Sequence, residues 1–297
     1  MEARKALSPR RVLFNRVLRI LLHFSAILTC ALLVVLIGYI FYRGLPNVSW
    51  EMLSTEPSVL RGVIGILPNL INTLALIGGT LLVVLPLGVG AAIYLTEYAK
   101  SRRMVELIEF ATETLTGIPS ILYGLVGMLF FVQFLGWGGS IRAGIFTLVI
   151  MILPTIVRTT QESLKTVPQA YREASLGLGS GKWHMIRTVV IPSSVDGIVT
   201  GCILAIGRIV GESAALLFTA GSASVLVQLS LDSPGALFQS LDRYFSTSGG
   251  SLTVALYMYT MERGKIDTGF AIASILMILT LVINLSAKWL GGKLKRK

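Results

Sequence analysis

Charged residues are unusually scarce in this sequence. Only 14% of its 297 residues are Asp, Glu, Lys or Arg, whereas 54% are hydrophobic and the mean hydropathy is +0.76. A water-soluble globular domain carries about 25% charged residues, so this composition excludes a soluble fold, and it excludes a disordered or collagen-like chain as well. The sequence therefore predicts a membrane protein, for which the informative count is the number of membrane spans.

Cysteine and histidine are also scarce. Cys30 and Cys202 both lie in apolar runs, where a small buried side chain is the ordinary role, and His23 and His184 are far apart in the chain. No disulfide scaffold and no metal site are predicted. The chain also lacks the Gly-x-Ser-x-Gly and His-Glu-x-x-His motifs of hydrolases. It is therefore expected not to be an enzyme.

One short stretch looks like part of a nucleotide-binding loop. Gly179, Ser180, Gly181 and Lys182 follow one another, but the next residue is Trp rather than Ser or Thr, and the position five before Gly181 is Leu176 rather than Gly. No bound ATP or other cofactor is expected on this chain.

Uncharged apolar runs recur along the sequence. The first covers residues 20–42, more than the ~20 residues that a helix needs to cross a bilayer. Others cover residues 62–96, 114–141, 143–157 and 268–287, and one more begins at residue 197 but is interrupted by two charges. The sequence predicts an all-α multi-pass protein with six transmembrane helices. Because the run 143–157 is short, its helix is expected either to include flanking residues at both ends or to be partly shielded by neighbouring helices.

Connections with many basic residues alternate along the chain with connections that hold few. Six precede the first run, three lie near residue 100, five lie between Arg158 and Arg187, and five lie at the C-terminus, whereas the intervening connections hold six altogether. Because Lys and Arg are retained on the cytoplasmic side, both termini are predicted to be cytoplasmic. Nucleic-acid binding is not expected, since the basic clusters directly flank membrane helices and have no interleaved aromatic residues.

Two connections are longer than turns. In the cytoplasmic one, residues 159–192, helix signals predict one helix over Gln169–Leu178 and a second over Lys182–Ile191, with Ser180 near its cap and Pro192 at its end. The outer one, residues 221–265, has apolar patches at 225–231 and 252–259. It is expected either to contact an external partner or to fold back over the pore.

These features divide the chain into three parts. Residues 1–65 hold a basic segment, the first helix and an outer loop. Residues 66–290 form a core of five helices, and residues 291–297 form a basic cytoplasmic tail.

Two charges lie inside the run that begins at residue 197. Arg208 and Glu212 each cost roughly 2.5 kcal/mol or more in a membrane, and their spacing of four predicts that they share one helical face. That face also carries small residues, namely Gly197, Gly201, Ala205, Ala215 and Thr219. It suits either a solute pathway or a tight helix contact fixed by a self-satisfied ion pair and the Gly207-x-x-x-Gly211 spacing. A pathway is favoured, because a packing interface needs no buried charge.

The run 114–141 contains a second polar feature. Residues 117–124 include Pro119, Ser120 and Tyr123 between glycines, and a proline in a span kinks the helix. The kink either exposes polar atoms to a passing solute or serves packing alone.

The cytoplasmic connection carries a recognisable motif. Glu173, Ala174 and Ser175, then Gly179, then nine residues, then Val-Val-Ile and Pro192, resemble the EAA loop of ABC importer permeases, Glu-Ala-Ala-x3-Gly-x9-Ile-x-Leu-Pro. The departures, which are Ser175 and the residues at 189 and 191, are conservative. Further stretches, at residues 117–124, 153–160, 171–176 and 207–217, are similar to A-type permeases of phosphate-specific ABC importers.

The resemblance covers about residues 69–297 and implies a type I, MetI-like permease fold in a prokaryotic inner membrane. It implies a homologous C-type permease as heterodimer partner, a dimeric ABC ATPase that binds ATP and Mg, and an extracytoplasmic phosphate-binding protein. The EAA loop becomes the coupling helix, with five residues contacting the ATPase: Glu173, Ala174, Ser175, Gly179 and Pro192. Arg208 and Glu212 become pathway residues, joined by Pro119, Ser120 and Tyr123.

Chemistry supports the two pathway charges independently. Arg presents a fixed fork of donors to phosphate oxygens, and a carboxylate can accept from a phosphate hydroxyl, which sulfate lacks at neutral pH. Two alternatives stay open. The first is an ABC permease for another oxyanion or small solute, such as sulfate or molybdate. The second is an ATP-independent channel or carrier, which the EAA loop disfavours because such a protein needs no site for an ATPase.

Overall fold

The computed structural model describes residues 9–58, 62–227, 230 and 233–294, and these are almost entirely helical. Parts of the predicted basic termini, residues 1–8 and 295–297, and of the outer loops, residues 59–61, 228–229 and 231–232, lie outside the described residues. The helices are α1 (Pro9–Gly44), α2 (Trp50–Ser54), α3 (Leu67–Ile93), α4 (Arg102–Thr116), α5 (Ser120–Gly127), α6 (Ile141–Lys165), α7 (Gln169–Gly177), α8 (Lys182–Met185), α9 (Ile191–Gly211), α10 (Ala214–Thr219), α11 (Pro234–Ser246), α12 (Leu252–Tyr257) and α13 (Ile266–Leu294).

Several helices continue into π-helical turns, in which the backbone hydrogen bonds are spaced more widely. These turns are Tyr94–Tyr98 after α3, Met128–Phe134 after α5, Ile186–Val190 between α8 and α9, and Met258–Glu262 after α12. Helix α13 extends through residues 291–294, which are the first part of the predicted basic tail.

Among the described residues, five helices are long and apolar enough to span a membrane. They cover Leu13–Asn47, Leu67–Tyr98, Ile141–Lys165, Lys182–Gly211 and Ile266–Lys293, and counting α4 with α5 as one bent span gives six. The predicted number of six spans is therefore confirmed when the bent pair is counted as one span. The short run 143–157 also gains residues at both ends, as predicted, because its helix has 25 residues.

The third predicted span is wrong in its bounds. Helix α4 ends at Thr116, and α5 starts only after Pro119, at an angle of 97° to α4. The reason is local, since Pro119 disfavours a helical conformation at the residue before it, which breaks the chain direction rather than kinking one helix. Helix α4 is amphipathic and carries five charged residues along its length, a composition typical of a helix at a membrane surface.

Helix α6 is the centre of the bundle. Two thirds of its most apolar window (67%) is buried, against none of the equivalent window in α1. Glycines let its neighbours approach closely: an added Cβ at Gly88 of α3 would lie 2.6 Å from the Ile156 side chain, and one at Gly201 of α9 would overlap Thr159. The small-residue face of α9 therefore packs tightly on α6.

The outer connection folds back onto the bundle. The predicted apolar patch 252–259 becomes α12, and its Leu252, Val254 and Ala255 are buried. The Leu252 amide donates to Thr73 Oγ1 over 2.8 Å, so α12 is fixed to the start of α3. We call the end of the molecule that carries α11 and α12 the α11 end, and the opposite end, which carries α7 and α8, the α7 end.

Candidate functional site

Arg208 and Glu212 do not share one continuous helix, contrary to the prediction. Helix α9 ends at Gly211, and Glu212 has an extended backbone (φ −81°, ψ 121°) before α10 starts at Ala214. Helix α12 stabilises the last turn of α9, because the hydroxyl of its Thr253 donates to the carbonyl of Val210. Arg208 thus lies in the last turn of a helix, where the helix dipole favours a positive charge.

Glu212 is fixed by the helix that follows it. Its carboxylate accepts a 3.0 Å hydrogen bond from the Ala215 amide, and the residue is only 8% exposed. The first amides of a helix have no partner within that helix, so this bond satisfies one of them and places the negative charge at the positive end of the α10 dipole. The carboxylate therefore has a structural role in addition to any role toward a solute.

Arg208 is half-buried and forms no ion pair with any carboxylate in the part of the chain that the structure describes. By contrast, Arg43, Arg158 and Arg172 each lie within about 3 Å of a carboxylate oxygen. The Gly207 and Gly211 spacing does not bring another described helix close, since an added Cβ at either position meets no atom within 4 Å. The expectation of a self-satisfied ion pair in a tight helix contact is therefore wrong at this position.

Tyr123 of α5 lies near Arg208 and interacts with it electrostatically. Its hydroxyl donates to the carbonyl of Leu115 over 2.7 Å, so Tyr123 holds the bend between α4 and α5. Helix α5 also packs closely on α10, because an added Cβ at Gly124 would lie 2.7 Å from the Ala215 Cα atom. The structure thus brings Tyr123, Arg208 and the segment capped by Glu212 into one region.

The other two predicted pathway residues lie at the bend itself. Pro119 is exposed and Ser120, the first residue of α5, is half-buried. Beside them α5, α10 and α12 enclose a cavity of about 250 Å³, lined mostly by apolar side chains, including Ile121, Leu217 and Phe218. Such a lining offers few donors to an anion, and neither Arg208 nor Glu212 contributes to it.

The predicted coupling helix is present as α7, which ends at Gly177. Glu173 and Ala174 are exposed, whereas the Ser175 hydroxyl is hydrogen-bonded to that of Ser180 over 2.7 Å. Gly179 has φ +83°, a left-handed conformation that only glycine adopts without strain. The glycine of the motif is therefore required by the backbone turn that follows α7.

Two local predictions about this loop are wrong. Ser180 does not cap the second helix, because its hydroxyl donates back to the carbonyl of Ser175. The second helix also does not end at Pro192, since α8, the π turn Ile186–Val190 and α9 form one uninterrupted helix of 30 residues. The widened hydrogen-bond spacing of a π turn just before Pro192 accommodates the missing amide donor of the proline.

The loop also contains an ion pair that the sequence did not predict. Arg172 of α7 lies 3.0 Å from the Glu97 carboxylate in the π turn after α3, and the two side chains are only 11% and 7% exposed. Arg172 stands directly before the motif glutamate, and Glu97 directly follows the second apolar run. That adjacency was the only available signal, because the two residues are 75 positions apart.

The arrangement is that of a multi-pass helical membrane protein with a helical loop presented at one end. Residues 84–297 match the model of the family described as binding-protein-dependent transport system inner membrane component. The chain belongs to this family and is a permease subunit of an ABC importer. Such subunits are not themselves enzymes, which confirms the prediction on that point.

Sequence relatives carry both general and specific names. The chain is 36% identical to the probable ABC transporter permease protein YqgI of Bacillus subtilis, over 92% of this chain and 93% of that one. It is 35% identical to the phosphate transport system permease protein PstA 2 of Mycobacterium bovis over 73% of each chain. It is also 43% identical to PstA of Yersinia pestis, over 45% of each.

Solved structures of similar fold include two ABC importers. A chain of a bacterial transporter involved in the import of alginate superposes with a TM-score of 0.62 over 95% of this chain and 98% of that one, at 15% identity. A chain of the inward-facing MetNI methionine transporter gives a TM-score of 0.52 over 82% of this chain and 98% of that one, at 18% identity. The predicted type I importer fold is therefore confirmed.

Proposed function

We propose that this permease imports inorganic phosphate, and that Arg208 contacts the anion on its way through the membrane. The observation that carries the proposal is the uncompensated charge of Arg208, a half-buried arginine near the end of a span with no carboxylate partner among the described residues. A half-buried cation within a membrane span is costly unless an anion or water compensates it. The names of the PstA relatives support phosphate as that anion.

Glu212 gives the proposal its selectivity. One carboxylate oxygen is engaged by the Ala215 amide, and the other is available to accept from a protonated phosphate oxygen. Sulfate has no such proton at neutral pH, so a fixed carboxylate near the path disfavours it. Tyr123, Ser120 and Pro119 shape the bend beside this region, and in the proposal they line the path without binding the anion tightly.

The assembly that we propose contains four further parts. A homologous C-type permease completes the path, and a phosphate-binding protein delivers the anion at the α11 end. Two ATPase subunits, which bind ATP and Mg, dock at the α7 end through Glu173, Ala174, Ser175, Gly179 and Pro192. With both termini cytoplasmic, the α7 end faces the cytoplasm of a prokaryotic cell and the chain resides in its inner membrane.

Uptake of radiolabelled inorganic phosphate into membrane vesicles that contain the complete assembly tests the site. Replacing Arg208 by Gln is expected to lower uptake at least about tenfold, because a charge-assisted hydrogen bond to the moving anion is lost. The matched control is Arg43→Gln, since Arg43 is also half-buried but is already paired with Asp267. Full uptake by the Arg208 variant would overturn the assignment.

Glu212→Gln separates the two roles of the carboxylate. The amide oxygen of Gln still accepts from the Ala215 amide, so the cap of α10 is retained while the negative charge is removed. Phosphate uptake is expected to become sensitive to excess sulfate. Unchanged uptake with unchanged discrimination against sulfate would contradict the selectivity role.

A further inference from the structure

The α7 end has two arms: the first is α7, and the second is α8 with the π turn that follows it. We infer that Glu97 joins both arms to α3 as one rigid unit, so that a displacement of α7 is passed directly to a membrane span. The inference rests on the proposed docking of an ATPase at α7. It assigns a positioning role to Glu97, Arg172 and Lys182, none of which belongs to the EAA motif.

Glu97 contacts both arms at once. Its carboxylate accepts from Arg172 Nε of α7 over 3.0 Å, and its backbone carbonyl accepts from Lys182 Nζ, at the start of α8. The Lys182 ammonium also lies 4.9 Å from the centre of the Tyr98 ring, a cation–π contact with the residue after Glu97. Both α7 and α8 therefore bind the π turn after α3.

Arg172 extends the connection to α6. Its guanidinium donates to the carbonyl of Leu164 in the last turn of α6, over 2.8 Å, and to that of Val167 just after this helix. The arginine thus binds carbonyls at the end of α6 while it pairs with Glu97. One side chain thus ties α7 to the ends of two spans.

Burial makes this connection stiff. The side chains of Arg172 and Glu97 are only 11% and 7% exposed, at the edge of a cleft that Lys182 also lines, and pulling them apart would leave an uncompensated charge in a largely buried site. Beneath them an apolar cluster fills the space between the ends of α3 and α6 and the second arm: Ala92, Ile93, Leu164, Val167, Met185, Ile186 and Val190. Close-packed interiors transmit displacement rather than absorb it.

The opposite face of the loop is free for a partner. Tyr171, Leu178 and Trp183 are large apolar side chains that are between 56% and 90% exposed, and Glu173 is exposed beside them. Arg172 and Glu173 are neighbours in the chain, yet one faces the bundle and the other faces outward. Glu173 is placed to contact a partner that moves α7, and Arg172 is placed to transmit that movement to the bundle.

Coupling in the purified complex tests the inference. The complex is reconstituted in vesicles with its ATPase and binding protein, and two quantities are measured per assembled complex: radiolabelled phosphate uptake and the stimulation of ATP hydrolysis by the phosphate-loaded binding protein. Glu97→Gln keeps the size of the side chain but removes its charge. Glu106→Gln is the matched control, because Glu106 forms an exposed ion pair within α4.

Glu97→Gln is expected to lower both quantities about tenfold, the effect of losing one charge-assisted hydrogen bond in the transmitting state, while the ATPase still co-purifies. Glu97→Asp, which keeps the charge, is expected to restore part of the loss, and Glu106→Gln to change nothing. Values for Glu97→Gln within twofold of wild type would overturn the inference, as would a loss explained entirely by fewer assembled complexes.

A milder variant covers the case in which Glu97→Gln does not assemble. Lys182→Met keeps the aliphatic stem but removes the contact to the Glu97 carbonyl, and it is expected to lower stimulation per complex by about threefold. No decrease would contradict the inference. If the ATPase fails to co-purify even with the wild-type chain, the proposed docking is wrong instead, so the two failures are distinguishable.

Discussion

Helix α3 is held at both ends, but by different chemistry. At the α11 end neutral groups hold it: the Asn69 amide donates to the Gly250 carbonyl over 2.9 Å, and the Tyr244 hydroxyl donates to Asn72 Oδ1 over 2.9 Å. At the α7 end the buried Glu97–Arg172 ion pair holds it. A neutral hydrogen bond contributes only about 1 kcal/mol net to stability, whereas a buried ion pair leaves charge behind when it opens. We interpret the first end as an adjustable attachment and the second as a rigid one.

The largest effect is expected from removing one partner at the rigid end. Arg172→Met leaves the Glu97 carboxylate buried without its cation and should lower the free energy of unfolding by about 3–5 kcal/mol. The measurement is denaturant unfolding of the purified chain in detergent micelles.

The double variant sharpens this prediction. Arg172→Met combined with Glu97→Met leaves no unpaired charge, so it should cost less than Arg172→Met alone. A double variant that is as destabilised as the sum of the two single variants would show that the pair does not act as a unit.

A smaller effect is expected at the adjustable end. Asn72→Leu removes the acceptor for the Tyr244 hydroxyl and a 3.3 Å bond to the Gly250 carbonyl. The expected cost is about 1–3 kcal/mol, because buried polar partners are left unsatisfied. Asn47→Ala, at an exposed site, is the control. An Asn72 variant more destabilised than Arg172→Met would reverse the comparison.

The smallest effect concerns a single hydroxyl. Tyr244→Phe removes one neutral hydrogen bond and should cost about 1 kcal/mol. Burial raises the pKa of the Tyr244 phenol from 10.0 to about 12. Because the folded pKa is the higher one, this contribution is fully present below pH 10 and is lost as the pH rises toward 12. The stability difference between wild type and the variant should shrink over that window, and a constant difference would contradict it.

The sequence predicted the number of spans and the break after α7, but not the bounds of the third span. The bilayer demands long apolar helices, so the runs appear in the composition, and Gly179 is fixed by a backbone angle that other residues avoid. The break after Gly211 was not predictable, since a spacing of four is the same whether the helix continues or stops. Nor was the Glu97–Arg172 pair, because no periodicity relates residues 75 positions apart.

The most direct test of the account is a distance measurement across the rigid end. Spin labels are attached at Leu178, which is 90% exposed, and at Tyr94, in the π turn after α3 and 52% exposed, after Cys30 and Cys202 have been replaced by Ala. The distance is measured by pulsed electron paramagnetic resonance in the assembled complex, without nucleotide and with ATP bound. The account predicts that it changes by less than about 2 Å, because the loop and the end of α3 move together. A larger change would show that α7 moves independently of the span and would contradict the account.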